Sequence, residues 1–553
     1  MKNILRSEDI WALLIGGALI LFGLLIFFVL PYNDIREKNE RLTADLEKEE
    51  QHPYKTVDWY HWSDAAARLS SGQTTAGKRV REILATPEKW QFNPLISLYK
   101  EAQPEADIDK QQLSGLERKA RDLHGEVISR GDKAGTDVVR KAENASSQWY
   151  TAHEAAEKAK KSGASYNLFR SLPVLALLLG ILFAVGAYFM KTGFLSFLKG
   201  FAGVFSLSVL AFILGGQRDI SSMGFGYPLW GIVLGMLISN TTGTPSWLQP
   251  AVKTEYYIKT GLVLLGAEIL FGKILSIGLP GLFVAWIVTP IVLVVTYWFG
   301  QKVLKITSRS LNITISADMS VCGVSAAIAT AAASGASREE LTLAVGLSMI
   351  FTSVMMVVLP GFINLVGMPE VLGGAWIGGT IDATGAVVAA GAFLGETALQ
   401  VAATIKMIQN MLIGVIAFFV AYYFTRNSGE NSATGSRLRL NELWLRFPKF
   451  IIGFVGASVL VSLLYHMAGD HMGEALVDRG LIRSFTKDLR GWLFCLAFVS
   501  IGLSVNIREL RSRFSGGKPL VLYACGQALN LLLTLGIAYL MFYIVFPEIT
   551  EQL

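Results

Sequence analysis

The sequence predicts an all-α polytopic membrane protein of about thirteen transmembrane helices, with inverted repeats and broken helices among them. Three observations predict it. Of 553 residues, 52% are hydrophobic and 17% charged, where a soluble chain carries about 25% charged residues. Apolar stretches of bilayer length, about 20 residues each, recur along most of the chain. The mean hydropathy is +0.45.

The net charge of +6 resides in short loops, as the positive-inside rule requires. No basic patch with interleaved aromatics is present, so no nucleic-acid partner is expected. The three cysteines, Cys322, Cys495 and Cys525, lie in apolar segments without a CxxC. That excludes a disulfide framework and a zinc site as organising features.

Taken in order, residues 1–30 hold an apolar run from about Ile10 to Leu30. No small-residue cleavage site follows it, so an uncleaved N-terminal transmembrane anchor is expected rather than a signal peptide. Residues 31–170 are polar and helix-prone. Leu113, Leu116, Ala120, Leu123 and Val127 recur at the spacing of an amphipathic helix. Trp59, Trp62 and Trp90 offer a small core or membrane-surface contacts. This region reads as a helical domain, either a docking module or a spacer. Residues 171–553 form the transmembrane transporter domain, with candidate spans at 171–190, 193–214, 225–240, 256–272, 276–300, 311–335, 341–364, 372–394, 398–424, 448–467, 490–506 and 519–545. The segments 311–335 and 372–394 are rich in Gly, Ser and Thr and are not expected to be helical throughout.

Basic loops set the orientation. Lys302, Lys305 and Arg309 share one loop; Arg426, Arg437, Arg439, Arg446 and Lys449 a second; Arg508, Arg511, Arg513 and Lys518 a third. These fall on the side of the N-terminus, expected to be cytoplasmic, which makes 31–170 extracytoplasmic. Residues 261–283 and 498–523 read as similar: an apolar run, a Gly, a polar position, a basic cluster, then Gly and Pro opening the next span. The span count sets the two copies in opposite orientations, the pattern of an inverted-repeat transporter.

Two segments break the rule that spans are apolar. SLNITISADMSVCGVSAAIATAAASG (310–335) carries Ser316, Asp318, Ser320, Cys322 and Ser325 around Gly323. GGAWIGGTIDATGAVVAAGAFLG (373–395) carries Thr380, Asp382 and Thr384, followed by Gly385. A carboxylate at membrane depth costs several kcal/mol and is retained for function. Small residues let a backbone unwind towards a ligand, although they also mark ordinary helix packing. A broken helix presents N–H groups to anions and carbonyls to cations. Glu268 and Lys406 could pair with the site or with each other, or snorkel. Asn240, Gln409, Asn410, Ser504 and Asn506 are further polar residues in spans. No P-loop, Gly-x-Ser-x-Gly or His-Glu-x-x-His occurs, so no cofactor and no enzymatic role are expected.

These residues also carry a family likeness. Over about 195–545 the chain resembles the YeiH-like sulfate-exporter family of conserved membrane proteins. YPLWGIVLGMLISN (227–240), EYYIKTGLVLLGAEILFGKI (255–274), SVCGVSAAIAT (320–330) and WIGGTIDATGAVVAAG (376–391) resemble its motifs. The likeness implies the fold group of sodium/proton antiporters and bile-acid symporters, with crossing broken helices. Ile381 stands where that family usually has His, and Gly385 and Ala386 where it usually has Gln. Residues 31–170 and the preceding span fall outside the family's usual extent.

The expectation is a secondary transporter of a small anion, sulfate or a sulfonate, coupled to protons or sodium. Ser316, Ser320, Cys322, Gly323, Ser325, Thr380, Thr384 and Gly385 are the expected substrate residues, and Asp318, Asp382 and Glu268 the ion-coupling ones. The expected partners are that solute, the coupling ion and the lipid bilayer, with a homo-oligomer left open. A cation-coupled carrier of another substrate is the nearest rival. A membrane sensor or scaffold working through 31–170 is the rival from another class.

Overall fold

The computed structural model describes residues 7–101, 110–130, 135–163, 165–222, 226–269, 271–427, 448–505 and 517–552. The loops expected at 425–447 and 507–518 lie almost wholly outside these residues, and so does Asn506. The described chain is nearly all helix, with a single two-stranded pairing of β1 (Tyr99–Lys100) and β2 (Tyr166–Asn167). The helices are α1 Glu8–Leu24, α2 Tyr32–Glu49, α3 Val57–Arg68, α4 Thr75–Leu84, α5 Lys110–Arg130, α6 Thr136–Gly163, α7 Leu168–Phe189, α8 Phe194–Gly215, α9 Arg218–Ser222, α10 Tyr227–Thr241 and α11 Thr254–Glu268. There follow α12 Phe271–Lys302, α13 Arg309–Ser320, α14 Gly323–Ser334, α15 Arg338–Leu365, α16 Glu370–Thr380, α17 Thr384–Leu394, α18 Glu396–Asn410 and α19 Leu412–Asn427. The chain ends with α20 Phe450–Ala468, α21 Asp470–Gly473, α22 Lys487–Ser504, α23 Lys518–Tyr539 and α24 Pro547–Gln552. Among the described residues, 8 helical stretches are long and apolar enough to cross a membrane.

The chain divides into two compact units. One comprises 20–175 together with 461–488, so the polar region recruits a distant stretch that its own composition does not advertise. In this unit the stripe of Leu113, Leu116, Ala120 and Leu123 packs as its spacing predicts, around Val57, Ala145 and Trp149. Trp149 is the aromatic at that centre. Residues 474–486 form a wide helical turn whose Leu476, Val477, Leu481 and Phe485 are buried. Arg479 donates to the carbonyls of Ala66 and Ala67, and the Ser71 hydroxyl donates to the Leu476 carbonyl at 3.5 Å.

The other unit comprises 1–19, 176–460 and 489–553. Its helices cross closely where glycine permits: a Cβ on Gly235 would lie 2.6 Å from the Leu503 amide. Helices α11 and α22, which carry the opening residues of the two similar stretches, run antiparallel, while 506–516 lie outside the described residues. Glu268 at the end of α11 meets Arg490 at the start of α22, and Gly261 lies against Phe494.

The Gly/Ser/Thr-rich segments depart most from ordinary spans. Each breaks, as its composition predicts, and then turns back instead of running on. α13 and α14 have 12 residues each, about 18 Å, too short to span singly. The start of α13 returns to the start of α15, where Ser308 and Ser310 both donate to Glu340. Glu340 also closes the capping box of α15 with Ser337. The second segment does the same at the far end of α15. A Cβ on Gly373 of α16 would touch both Ile363 of α15 and Leu394 of α17, and one on Gly395 would touch Glu370. Two helical hairpins therefore open at opposite ends of the 28-residue α15, about 42 Å apart.

Candidate functional site

The hairpin tips meet. The first is Val321–Cys322, followed by Gly323 at φ +42; the second is Ile381–Ala383, with Ile381 and Ala383 extended. The Cys322 Sγ stands 3.8 Å from the Thr384 Oγ1, joining one tip to the other. A left-handed φ favours glycine, which explains Gly323 at the reversal.

Breaking a helix leaves carbonyls and amides without partners. The carbonyl ends are covered. The Gln409 amide donates to Ser320 O (3.0 Å), Gly379 O (3.2 Å) and the Thr289 hydroxyl (3.1 Å). Lys406, fully buried, donates to Val321 O at 2.6 Å and to the Gln409 Oε1 at 2.8 Å. Gln527 of α23 donates to Thr380 O at 2.9 Å. The amide ends are treated differently: neither α14 nor α17 has a side-chain cap at its N-terminus. Both begin at a cavity of about 520 Å³ lined by Cys322, Val324, Ser325, Ala383, Thr384 and Asn410. The same cavity reaches Asp9, Glu255 and Lys259, where Lys259 pairs with Asp9 at 2.7 Å and Glu255 at 3.4 Å.

Behind the tips lie the two carboxylates, both buried. Asp382 accepts from the Tyr523 hydroxyl through Oδ2. Its Oδ1 has no hydrogen-bond partner among the described residues, and the oxygens of Asp318 have only the Ser348 hydroxyl beside them, without a well-aligned bond. Gly323 lies between them: a Cβ there would be 3.6 Å from the Asp382 Cβ and 3.8 Å from the Asp318 Oδ1.

A profile described as Conserved hypothetical protein 698 matches residues 199–523, which include both hairpins. A UPF0324 membrane protein of Nitratidesulfovibrio vulgaris is 47% identical over 566 residues, covering 100% of this chain and 97% of its own. The chain belongs to the UPF0324 family. A UPF0324 membrane protein of Rhodopirellula baltica is 58% identical over 353 residues, 64% of each chain. The UPF0324 inner membrane protein YeiH of Escherichia coli K12 is 25% identical over 333 residues, 59% of this chain and 89% of its own. No solved structure matches the chain significantly. This UPF0324 member is thus a polytopic helical membrane protein.

The expected substrate residues of the UPF0324 chain fall in three places. Cys322, Ser325 and Thr384 line the cavity, and Asn410 holds the Thr384 hydroxyl at 3.2 Å. Gly323 and Gly385 lie at the two helix starts, Gly385 against Ile258. Ser316, Ser320 and Thr380 turn inward to their own helices: Ser316 donates to Asn312 at 3.5 Å, Ser320 to the Ala317 carbonyl at 3.4 Å and Thr380 to the Trp376 carbonyl. Glu268 pairs with Arg490 at 2.8 Å rather than with Lys406, and Arg490 also reaches Glu396 at 2.9 Å. Tyr523, Gln527, Thr289 and Ser348 join the constellation without having been singled out in the sequence. A Tyr, Ser or Thr in an apolar helix gives no sign of which way it faces.

Proposed function

We propose that this protein is a secondary transporter that moves a small anion of the sulfate or sulfonate class across the cytoplasmic membrane, coupled to sodium or protons. The observation that carries the reading is the unequal treatment of helix ends at the hairpin tips. The carbonyl ends of α13 and α16 are covered by Lys406, Gln409 and Gln527, whereas the amide ends of α14 and α17 face a cavity uncapped. Uncapped amides with the positive ends of two helix dipoles suit an anion. Ser325, Thr384 and Cys322 add hydroxyl and thiol donors at the same wall.

Asp318 and Asp382 repel an anion until a cation or proton neutralises them. Binding of the coupling ion therefore raises affinity for the anion, and by linkage the anion raises affinity for the ion. In the orientation favoured by the basic loops, the N-terminus and the loop around Lys302 and Lys305 are cytoplasmic, and residues 31–170 are outside.

Uptake of labelled sulfate and of small sulfonates into proteoliposomes, with sodium or pH gradients imposed in turn, tests this. Uptake above empty vesicles, driven by one of the gradients, is the expected result. Asp382→Asn keeps the size of the side chain and removes its charge, and its flux should lose ion dependence or stop. Absence of uptake of every anion under every gradient would overturn the reading.

A further inference from the structure

Resting on the transport reading, we infer that the coupling ion is sodium, bound in the niche beside Gly323 by Asp318, Asp382 and Ser348. The niche is a consequence of backbone geometry. Gly323 adopts φ +42, and the place its Cβ would take lies 2.9 Å from the Ser348 Oγ, 3.6 Å from the Asp382 Cβ and 3.8 Å from the Asp318 Oδ1. An alanine here would be strained and would collide with the Ser348 hydroxyl. The glycine lets oxygen-bearing side chains from α13, α15 and the second hairpin tip converge on one point without a side chain of its own between them.

Those oxygens need a partner. The Asp382 Oδ1 is buried without a hydrogen bond among the described residues, the Asp318 oxygens have only the neighbouring Ser348 hydroxyl beside them and no well-aligned bond, and both side chains are at most 1% exposed. A buried charge persists only when paired or coordinated. A proton placed on one carboxyl supplies a single donor, whereas a cation engages several oxygens at once. Carboxylates and a hydroxyl are the hard oxygen ligands that suit sodium, magnesium or calcium.

Charge decides among these. Two carboxylates carry two negative charges. Lys406, buried and within electrostatic reach of Asp382, returns one positive charge. Its nitrogen donates to two acceptors, Val321 O and the Gln409 Oε1. A monovalent cation closes the balance, and a divalent one overshoots it. The site also explains coupling. Sodium beside Gly323, the first residue of α14, whose amide end faces the anion cavity, balances together with Lys406 the two carboxylates that would otherwise repel the solute.

The test is sodium titration of the purified full-length protein at fixed pH, with choline replacing sodium to hold ionic strength. Thermal unfolding should shift upward saturably with sodium and not with choline, because a ligand that binds only the folded state stabilises it. Ser348→Ala should weaken the apparent sodium affinity about tenfold, the loss of one ligand at about 1.4 kcal/mol. Asp318→Asn should abolish the response; where it fails to fold, Ser348→Ala carries the test. A wild-type shift no larger in sodium than in choline overturns the inference, as does a Ser348→Ala titration identical to wild type. Sulfate flux measured in parallel separates the two claims. Flux without a sodium-specific shift overturns the sodium site alone, and a sodium-specific shift without flux of any anion overturns the transport reading.

Discussion

Gln409 holds both hairpin tips with one amide group, which makes it the residue on which the site's shape depends most. Replacing it with Leu strips the donor from the Ser320 and Gly379 carbonyls at once. A buried acceptor left unsatisfied costs about 1–3 kcal/mol, so Gln409→Leu should lower the unfolding temperature by several degrees and slow transport. Thermal unfolding in detergent reads the first effect and proteoliposome flux the second; an unchanged unfolding temperature would show that the tips do not depend on this donor. Much at this scale was legible. Asp318 and Asp382 stand out because an ionisable side chain at membrane depth needs a reason, and Lys406, Gln409 and Asn410 are visible as polar residues in a span. Their roles were not legible. Which carbonyl a glutamine serves depends on partners 30 and 89 residues away. The same holds for Glu268, whose partner Arg490 lies 222 residues further on.

At the scale of elements, the breaks at 321–322 and 381–383 follow from composition, but the reversals do not. A stretch of about 25 apolar and small residues has the length of a full span, and nothing in its pattern says that the chain returns to the side it came from. Only the pairings at the two mouths reveal it. Glu340 clamps the first mouth by accepting from Ser308, Ser310 and the Ser337 amide, so Glu340→Ala should loosen that hairpin and cost about 1 kcal/mol through the lost cap alone. Faster hydrogen exchange confined to α13 and the first turn of α15 would mark the effect, and uniform exchange would refute the clamp. The buried Arg490 joins three elements in the same way. Arg490→Leu removes the guanidinium that pairs with the buried Glu268, and breaking a buried ion pair from one side costs about 3–5 kcal/mol. The double variant Glu268→Gln with Arg490→Leu should recover most of the loss. A double variant no more stable than Arg490→Leu alone would show that the penalty does not come from the Glu268 carboxylate.

At the scale of the whole molecule, the membrane class was legible because bilayer length is a composition effect, whereas the sidedness expected from the basic loops is a matter for experiment. In a background lacking the native cysteines, cysteines at Lys302 and at Ser129 should react with an impermeant thiol reagent from opposite sides. Labelling of both from one side would refute the topology. The polar unit carries its own pH dependence. Burial and the neighbouring His52 hold the His124 imidazole below its ordinary 6.5, and its Nδ1 contacts the Tyr54 hydroxyl at 2.7 Å. The unfolded chain then binds the proton more readily than the folded one, so the unit is fully stable above about pH 6.5 and loses stability as the pH falls below it. Limited proteolysis of 31–170 at pH 7.5 and pH 5.5 should show this as faster cleavage in acid, and His124→Gln should flatten the difference. What composition could not convey was the discontinuity of that unit. Because 461–488 belongs with 20–175, excising 31–170 alone would strip Ile35, Tyr32 and Leu69 from Met472, Ala475 and Leu476 and leave a greasy stump. Such a truncation would aggregate for reasons unrelated to transport. A clean surgical test of this unit must therefore treat both of its stretches, 20–175 and 461–488, together, with two cuts and two splices.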